Sequence, residues 1–135
     1  MKFLLAPIAW IYGFVVWLRN LLYDDHILHS TQVSIPTICV GNLAVGGTGK
    51  TPMAEYLISL LSSDYKVALL SRGYGRKTKG FRIANEHDTA QTIGDEPMQI
   101  HTHFPDIPVA VCADRVKGVK RLQQLYPDLQ CVILD

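Results

Sequence analysis

Six residues, Gly46-Gly47-Thr48-Gly49-Lys50-Thr51, lie between two segments of different periodicity. Before them, Thr37-Ile38-Cys39-Val40 is a short, continuously apolar run bounded by Pro36 and Gly41, the pattern of a buried strand. After them, Met53, Leu57, Leu60 and Leu61 recur at helical spacing behind Pro52, which suits a first turn because its missing N–H leaves no bond unmade there. Strand, glycine-rich turn and helix in that order make a phosphate cradle. The glycines let backbone N–H groups point at phosphate oxygens, beside the positive end of the helix dipole. The general pattern is G-x-x-x-x-G-K-[ST]. Gly49, Lys50 and Thr51 match it, whereas Ala44 stands where the first glycine belongs. On this reading Gly46, Gly47, Thr48 and Gly49 wrap the phosphates, Lys50 reaches the β- and γ-phosphates, and Thr51 offers its hydroxyl to Mg²⁺. The ligand class is a nucleoside triphosphate with Mg²⁺; the phosphate acceptor is not given by this loop.

The remainder alternates in the same way. Strands are expected at 66–71, 109–112 and 131–134, and helices from about Asp95, with Pro97 in the first turn and Asp95 as cap, and over 116–126. Residues 72–80 (RGYGRKTKG) read as a polar loop. Alternating strands and helices imply an α/β fold, a parallel sheet flanked by helices, with all four strands covered on both faces and the chemistry at their C-terminal ends. Asp135, directly after Cys131-Val132-Ile133-Leu134, fits the acidic strand end that holds a Mg²⁺ shell in such enzymes. A domain that stops at the tip of a buried strand reads as a fragment of a longer protein. Cys39, Cys112 and Cys131 have no metal-ligand spacing and are expected as reduced core residues. His101 and His103 form an H-x-H pair with no further ligand in view and read as helix surface.

Residues 1–23 are a separate, membrane-associated helix, and 24–135 the start of the nucleotide-binding domain. Phe3 to Leu18 carries no charged side chain. Trp10, Tyr12, Trp17 and Tyr23 suit a headgroup region, and Lys2 and Arg19 can reach lipid phosphates. A buried core helix and a cleaved signal peptide are the competing readings of this segment, the latter disfavoured because Arg19, Asn20 and Tyr23 stand where small residues of a cleavage site belong. Spanning and surface-lying arrangements both fit. A formal net charge of +1 over 135 residues argues against nucleic acid as a partner.

The run VGNLAVGGTGKTP, then SRGYGRK, GDEP, ADRVKG and VILD, resembles the tetraacyldisaccharide 4′-kinase family over essentially the whole chain. That family's loop also lacks the first glycine. The resemblance implies transfer of the γ-phosphate of ATP to the 4′-hydroxyl of tetraacyldisaccharide 1-phosphate in lipid A biosynthesis, at the cytoplasmic face of the inner membrane. The lipid substrate and the membrane surface are the implied partners, and no protein partner is implied. It makes Asp95 the catalytic carboxylate beside Lys50, with Glu96 as a further candidate. It places Asn42, Tyr74 and Arg115 on the substrate side, and Thr51 and Asp135 at the metal. The basic loop Arg72, Arg76, Lys77 and Lys79 is either solvated or turned to anionic lipid. The family continues with a second Asp, a Gln-His pair and a smaller domain carrying a further catalytic His, so the 135 residues alone are expected to be inactive. The alternative is a membrane-associated P-loop NTPase regulated by a protein partner; a non-enzymatic membrane-binding remnant is the third reading.

Overall fold

The structure, a computed structural model, describes residues 2–42 and 49–135. Gly46, Gly47 and Thr48 of the phosphate loop lie outside the described residues. The chain divides into two compact units, Met1–Gln32 and Val33–Asp135.

The first unit is built on α1 (Lys2–Asp24), with Pro7 inside it. At 1.5 Å per residue, its 23 residues run to about 35 Å. The segment Leu5–Asp24 is long and apolar enough to cross a membrane. Trp10, Tyr12, Trp17 and Tyr23 are all exposed. Phe14 and Trp17 lie with ring centroids 5.9 Å apart, and the Arg19 guanidinium sits 5.9 Å from the centre of the Tyr23 ring. After the helix His26 takes a positive φ of 57°, which turns the chain out of helical geometry.

The second unit contains β1 (Thr37–Cys39), α2 (Lys50–Leu61), β2 (Val67–Ser71), β3 (Arg82–Ile83), α3 (Ala90–Ile93), α4 (Asp95–His103), β4 (Val109–Val111), α5 (Arg115–Leu125) and β5 (Cys131–Leu134). The sheet order is β1-β5-β2-β4-β3. β1, β5, β2 and β4 run parallel, with Ile38 opposite Ile133, Leu69 opposite Ile133 and Leu70 opposite Ala110. β3 closes the other edge antiparallel, Ile83 opposite Ala110.

Alternation along the central strands splits the core into two layers. Ala68, Leu70, Ala110 and Val132 face α5 through Val119 and Leu122. Leu69, Val109 and Ile133 face α2 and α4 through Ala54, Ile58 and Ile100. These strands are covered on both faces, as continuous apolar runs require.

The expectations for β1 and for the α4 cap are corrected. β1 is not covered on both faces: it is an edge strand bonded only to β5, and Thr37 and Cys39 are exposed, so Cys39 is no core cysteine although Cys112 and Cys131 are buried. Residues 72–80 form a loop, as expected, and β3 and α3, for which the sequence gives no expectation, follow it before α4. Asp95 does not cap α4; Gly94 does, with φ 101° and ψ 157°, a conformation essentially reserved for glycine, and no side chain bonds the cap. The four expected strands are parallel, as read, and the edge strand β3 adds an antiparallel neighbour beside β4.

Candidate functional site

Because β1, β5, β2 and β4 are parallel, the residues that follow them share one edge of the sheet: Asn42, Asp135, Arg72 to Tyr74, and Cys112 to Asp114. α2 starts at the same edge. Its N-cap is Gly49, with φ 83°, and no side chain satisfies the helix's first N–H groups among the described residues. Lys50 is the first helical residue and Thr51 the second, both partly exposed. Lys50, Tyr74, Asp95, Glu96 and Pro97 line one cleft of about 340 Å³. α2 therefore delivers a cation, and the start of α4 two carboxylates, to a common space.

Asp135 adjoins that cleft. The side-chain oxygen Oδ2 is buried and has no hydrogen-bond partner among the described residues. Burial first, then the charge and hydrogen bonding of Glu96, push its carboxyl above the ordinary carboxylate range, while Lys50 and Arg115 pull it down. A carboxylate short of positive charge, with an unpartnered oxygen beside a second carboxylate, fits a hard divalent cation that takes oxygen ligands. Its backbone N–H is fixed by Leu70 O at 3.1 Å.

Arg115 is tied into the protein. Its guanidinium donates to Cys112 O at 2.8 Å and to Asp135 O at 2.7 Å, clamping the ends of β4 and β5. Burial lowers its pKa, and the Asp135 charge offsets this. Asp114 caps α5, accepting from Lys117 N at 3.0 Å. Asn42 is exposed beyond β1, and Tyr74 is 91% exposed at the cleft mouth. In the basic loop Arg76 donates to Gly80 O at 2.6 Å, and Lys77 Nζ to Gln91 Oε1 at 3.1 Å, so both cations have local partners. His103 pairs with Glu55 at 2.7 Å, joining α4 to α2, whereas His101 Nδ1 is buried without a partner among the described residues.

The family model described as Tetraacyldisaccharide-1-P 4'-kinase matches residues 1–135. The chain belongs to the tetraacyldisaccharide 4′-kinase family. It is 53% identical over 133 residues to the tetraacyldisaccharide 4′-kinase of Phocaeicola vulgatus, covering 97% of this chain and 36% of that protein. It is 50% identical to that of Bacteroides thetaiotaomicron, covering 97% and 35%. The chain thus spans about a third of the length of the curated relatives it matches. A crystal structure of LpxK from Aquifex aeolicus in complex with ATP superposes with a TM-score of 0.83 at 37% identity, covering 96% of this chain and 42% of that one.

Sequence reasoning missed the support behind the cleft. Asp88, 4% exposed, accepts from Arg82 Nε at 2.7 Å, Asn85 N at 3.0 Å and Thr92 Oγ1 at 2.7 Å. Thr89 and Thr92 cap α3 reciprocally. Burial raises the Asp88 pKa, but the bonds from Arg82, Thr92 and Asn85 and the Arg82 charge outweigh it and hold the carboxyl below its ordinary range. The only advance signal is two threonines three apart after an aspartate, too common a pattern to single out.

Proposed function

We propose that this protein transfers the γ-phosphate of ATP to the 4′-hydroxyl of tetraacyldisaccharide 1-phosphate, a step of lipid A biosynthesis, at the cytoplasmic face of the inner membrane. The observation that carries the reading is the cleft in which Lys50, at the start of α2, shares a wall with Asp95 and Glu96 of α4, in a chain of this family. The ATP bound to the Aquifex aeolicus relative supports the donor.

Gly49 and the first turn of α2 hold the triphosphate through backbone N–H groups, with Gly46, Gly47 and Thr48 as further parts of the cradle. Lys50 draws charge from the transferring phosphoryl group. Asp95 accepts the proton of the 4′-hydroxyl as its oxygen bonds to the γ-phosphorus. The bond to the β-phosphate oxygen breaks and ADP leaves. Thr51 and Asp135 would hold Mg²⁺, which when bound would neutralise charge on the triphosphate. Tyr74 and Asn42 lie on the acceptor side, and Arg115 keeps the Asp135 strand end in place. α1 brings the site to a substrate whose acyl chains sit in a bilayer.

The test is nucleotide turnover by the product of the full coding sequence, with and without lipid acceptor in mixed micelles. A kinase forms ADP only in step with phosphorylated lipid. Turnover that ignores the lipid and responds to an added protein supports the regulated NTPase instead.

A further inference from the structure

Two glycines bring the loop after β2 and the start of α4 into direct backbone contact. Gly73 and Gly94 are both buried, with φ of 71° and 101°. A Cβ on Gly94 would lie 3.1 Å from Tyr74 O and 3.4 Å from the Cα and carbonyl carbon of Gly73. A Cβ on Gly73 would lie 3.0 Å from Ile93 O and 2.6 Å from Arg76 Cδ. The obstructing atoms are mostly backbone, which cannot swing aside as a side-chain end can.

The contact joins the two sides of the cleft. Tyr74 follows Gly73, and Asp95 and Glu96 follow Gly94. Tyr74 is almost wholly exposed, so its own side chain does little to place it. Two further ties run alongside: Lys77 N donates to Gln91 O at 2.8 Å, and Thr78 Oγ1 to Thr92 O. Thr92 is in turn held by the buried Asp88.

We propose that the Gly73–Gly94 contact is a positioning joint, which with the Thr78–Thr92 bond sets the distance between Tyr74 and the Asp95–Glu96 carboxylates. It rests on the kinase reading for its consequence in catalysis, though not for its existence. Neither glycine touches reactants; each acts through the residue after it. A misplacement of about 1 Å in a transfer site costs up to about a hundredfold in rate. A β-carbon at Gly94, 3.1 Å from Tyr74 O, demands a shift of a few tenths of an ångström in a backbone conformation that side chains rarely adopt, and so a smaller loss.

The test uses the product of the full coding sequence carrying Gly94→Ala, Thr78→Val, Thr78→Ser or Gly80→Ala. Gly80 has φ 75° with open space around its missing Cβ, so its substitution adds backbone strain without collision. Gly94→Ala is expected to lower kcat about threefold to tenfold with KM for ATP within about twofold. Thr78→Val is expected to lower kcat by less, with Thr78→Ser restoring it and Gly80→Ala leaving it unchanged. Hydrogen exchange is expected to speed up in 72–78 and 90–98 together in Gly94→Ala and Thr78→Val. Exchange that rises in one segment alone, kcat that falls only with the folded fraction, or an equal loss in Gly80→Ala would overturn the proposal. If Gly94→Ala does not fold, the threonine pair decides. Should the wild-type protein transfer no phosphate, the kinase reading falls, and the paired exchange response alone decides the joint.

Discussion

Asp135 and Asp88 are both partly or fully withdrawn from water, and their surroundings move them in opposite directions. Burial and then Glu96 raise Asp135. A raised carboxyl favours the protonated form in the fold, so ionising it costs stability as pH climbs from about 4 through the raised value. Glu96→Gln is therefore expected to increase thermal stability at neutral pH by about 1 kcal/mol or less, with no gain below about pH 4. A melting series across pH checks it, and millimolar Mg²⁺ should narrow the difference. Asp88 behaves conversely. Its bonds with Arg82, Thr92 and Asn85 hold it low, so its contribution is present above about pH 4 and lost as pH falls through the lowered value. Asp88→Asn is expected to cost about 1–3 kcal/mol near neutral pH and to flatten the acid side of the stability curve. Lys50→Ala should reduce phosphoryl transfer by about a hundredfold or more while leaving the melting temperature close to wild type, because Lys50 lines the cleft and lies outside both core layers.

At the scale of elements, α5 is held against the sheet by a close approach at Gly118. A Cβ there would lie 2.7 Å from Leu70 Cδ2 and 3.1 Å from Cys112 Cβ. Alanine gains about 1 kcal/mol of helix propensity over glycine, but overpacking typically costs about 1–3 kcal/mol. Gly118→Ala is expected to be destabilising by up to about 2 kcal/mol in a denaturant melt, and a stabilised variant would contradict the packing described. The elements that sequence made legible are those with strong periodicity or a long apolar run: β2, β4, β5, α2 and α5 fall within a residue or two of their expected bounds. Lys50 stands out from GKT, and Asp95 and Glu96 only through the resemblance carried by GDEP; the three line one cleft. What was not legible depends on tertiary neighbours. β3 is two residues long and exists because Ala110 and Val111 offer it an edge. Cys39 reads as core in a run of four apolar residues, yet β1 has a partner on one side only. The Gly94 cap needed a backbone conformation that local sequence does not announce. The resemblance puts Arg115 on the substrate side; that two of its donors also tie β4 to β5 depends on neighbours distant in sequence.

At the scale of the molecule, an exposed apolar helix and a nucleotide-type domain share one chain. Trp10 is 81% exposed and Tyr12 72%, on a segment long and apolar enough to cross a bilayer. Removing residues 1–23 is expected to reduce co-sedimentation with anionic vesicles at least about tenfold, with the fold of 33–135 retained by circular dichroism. Unchanged vesicle binding would assign membrane contact elsewhere. On the proposed function, Lys50 and the α4 carboxylates bring ATP to a lipid hydroxyl. The most direct measurement is the position of the transferred phosphate. The product of the full coding sequence is incubated with γ-labelled ATP, Mg²⁺ and tetraacyldisaccharide 1-phosphate, and the lipid is analysed by mass spectrometry and phosphorus NMR. A 1,4′-bisphosphate is expected from wild type, and none above background from Lys50→Ala. Label released only as inorganic phosphate, or lipid phosphorylated equally by Lys50→Ala, would contradict it.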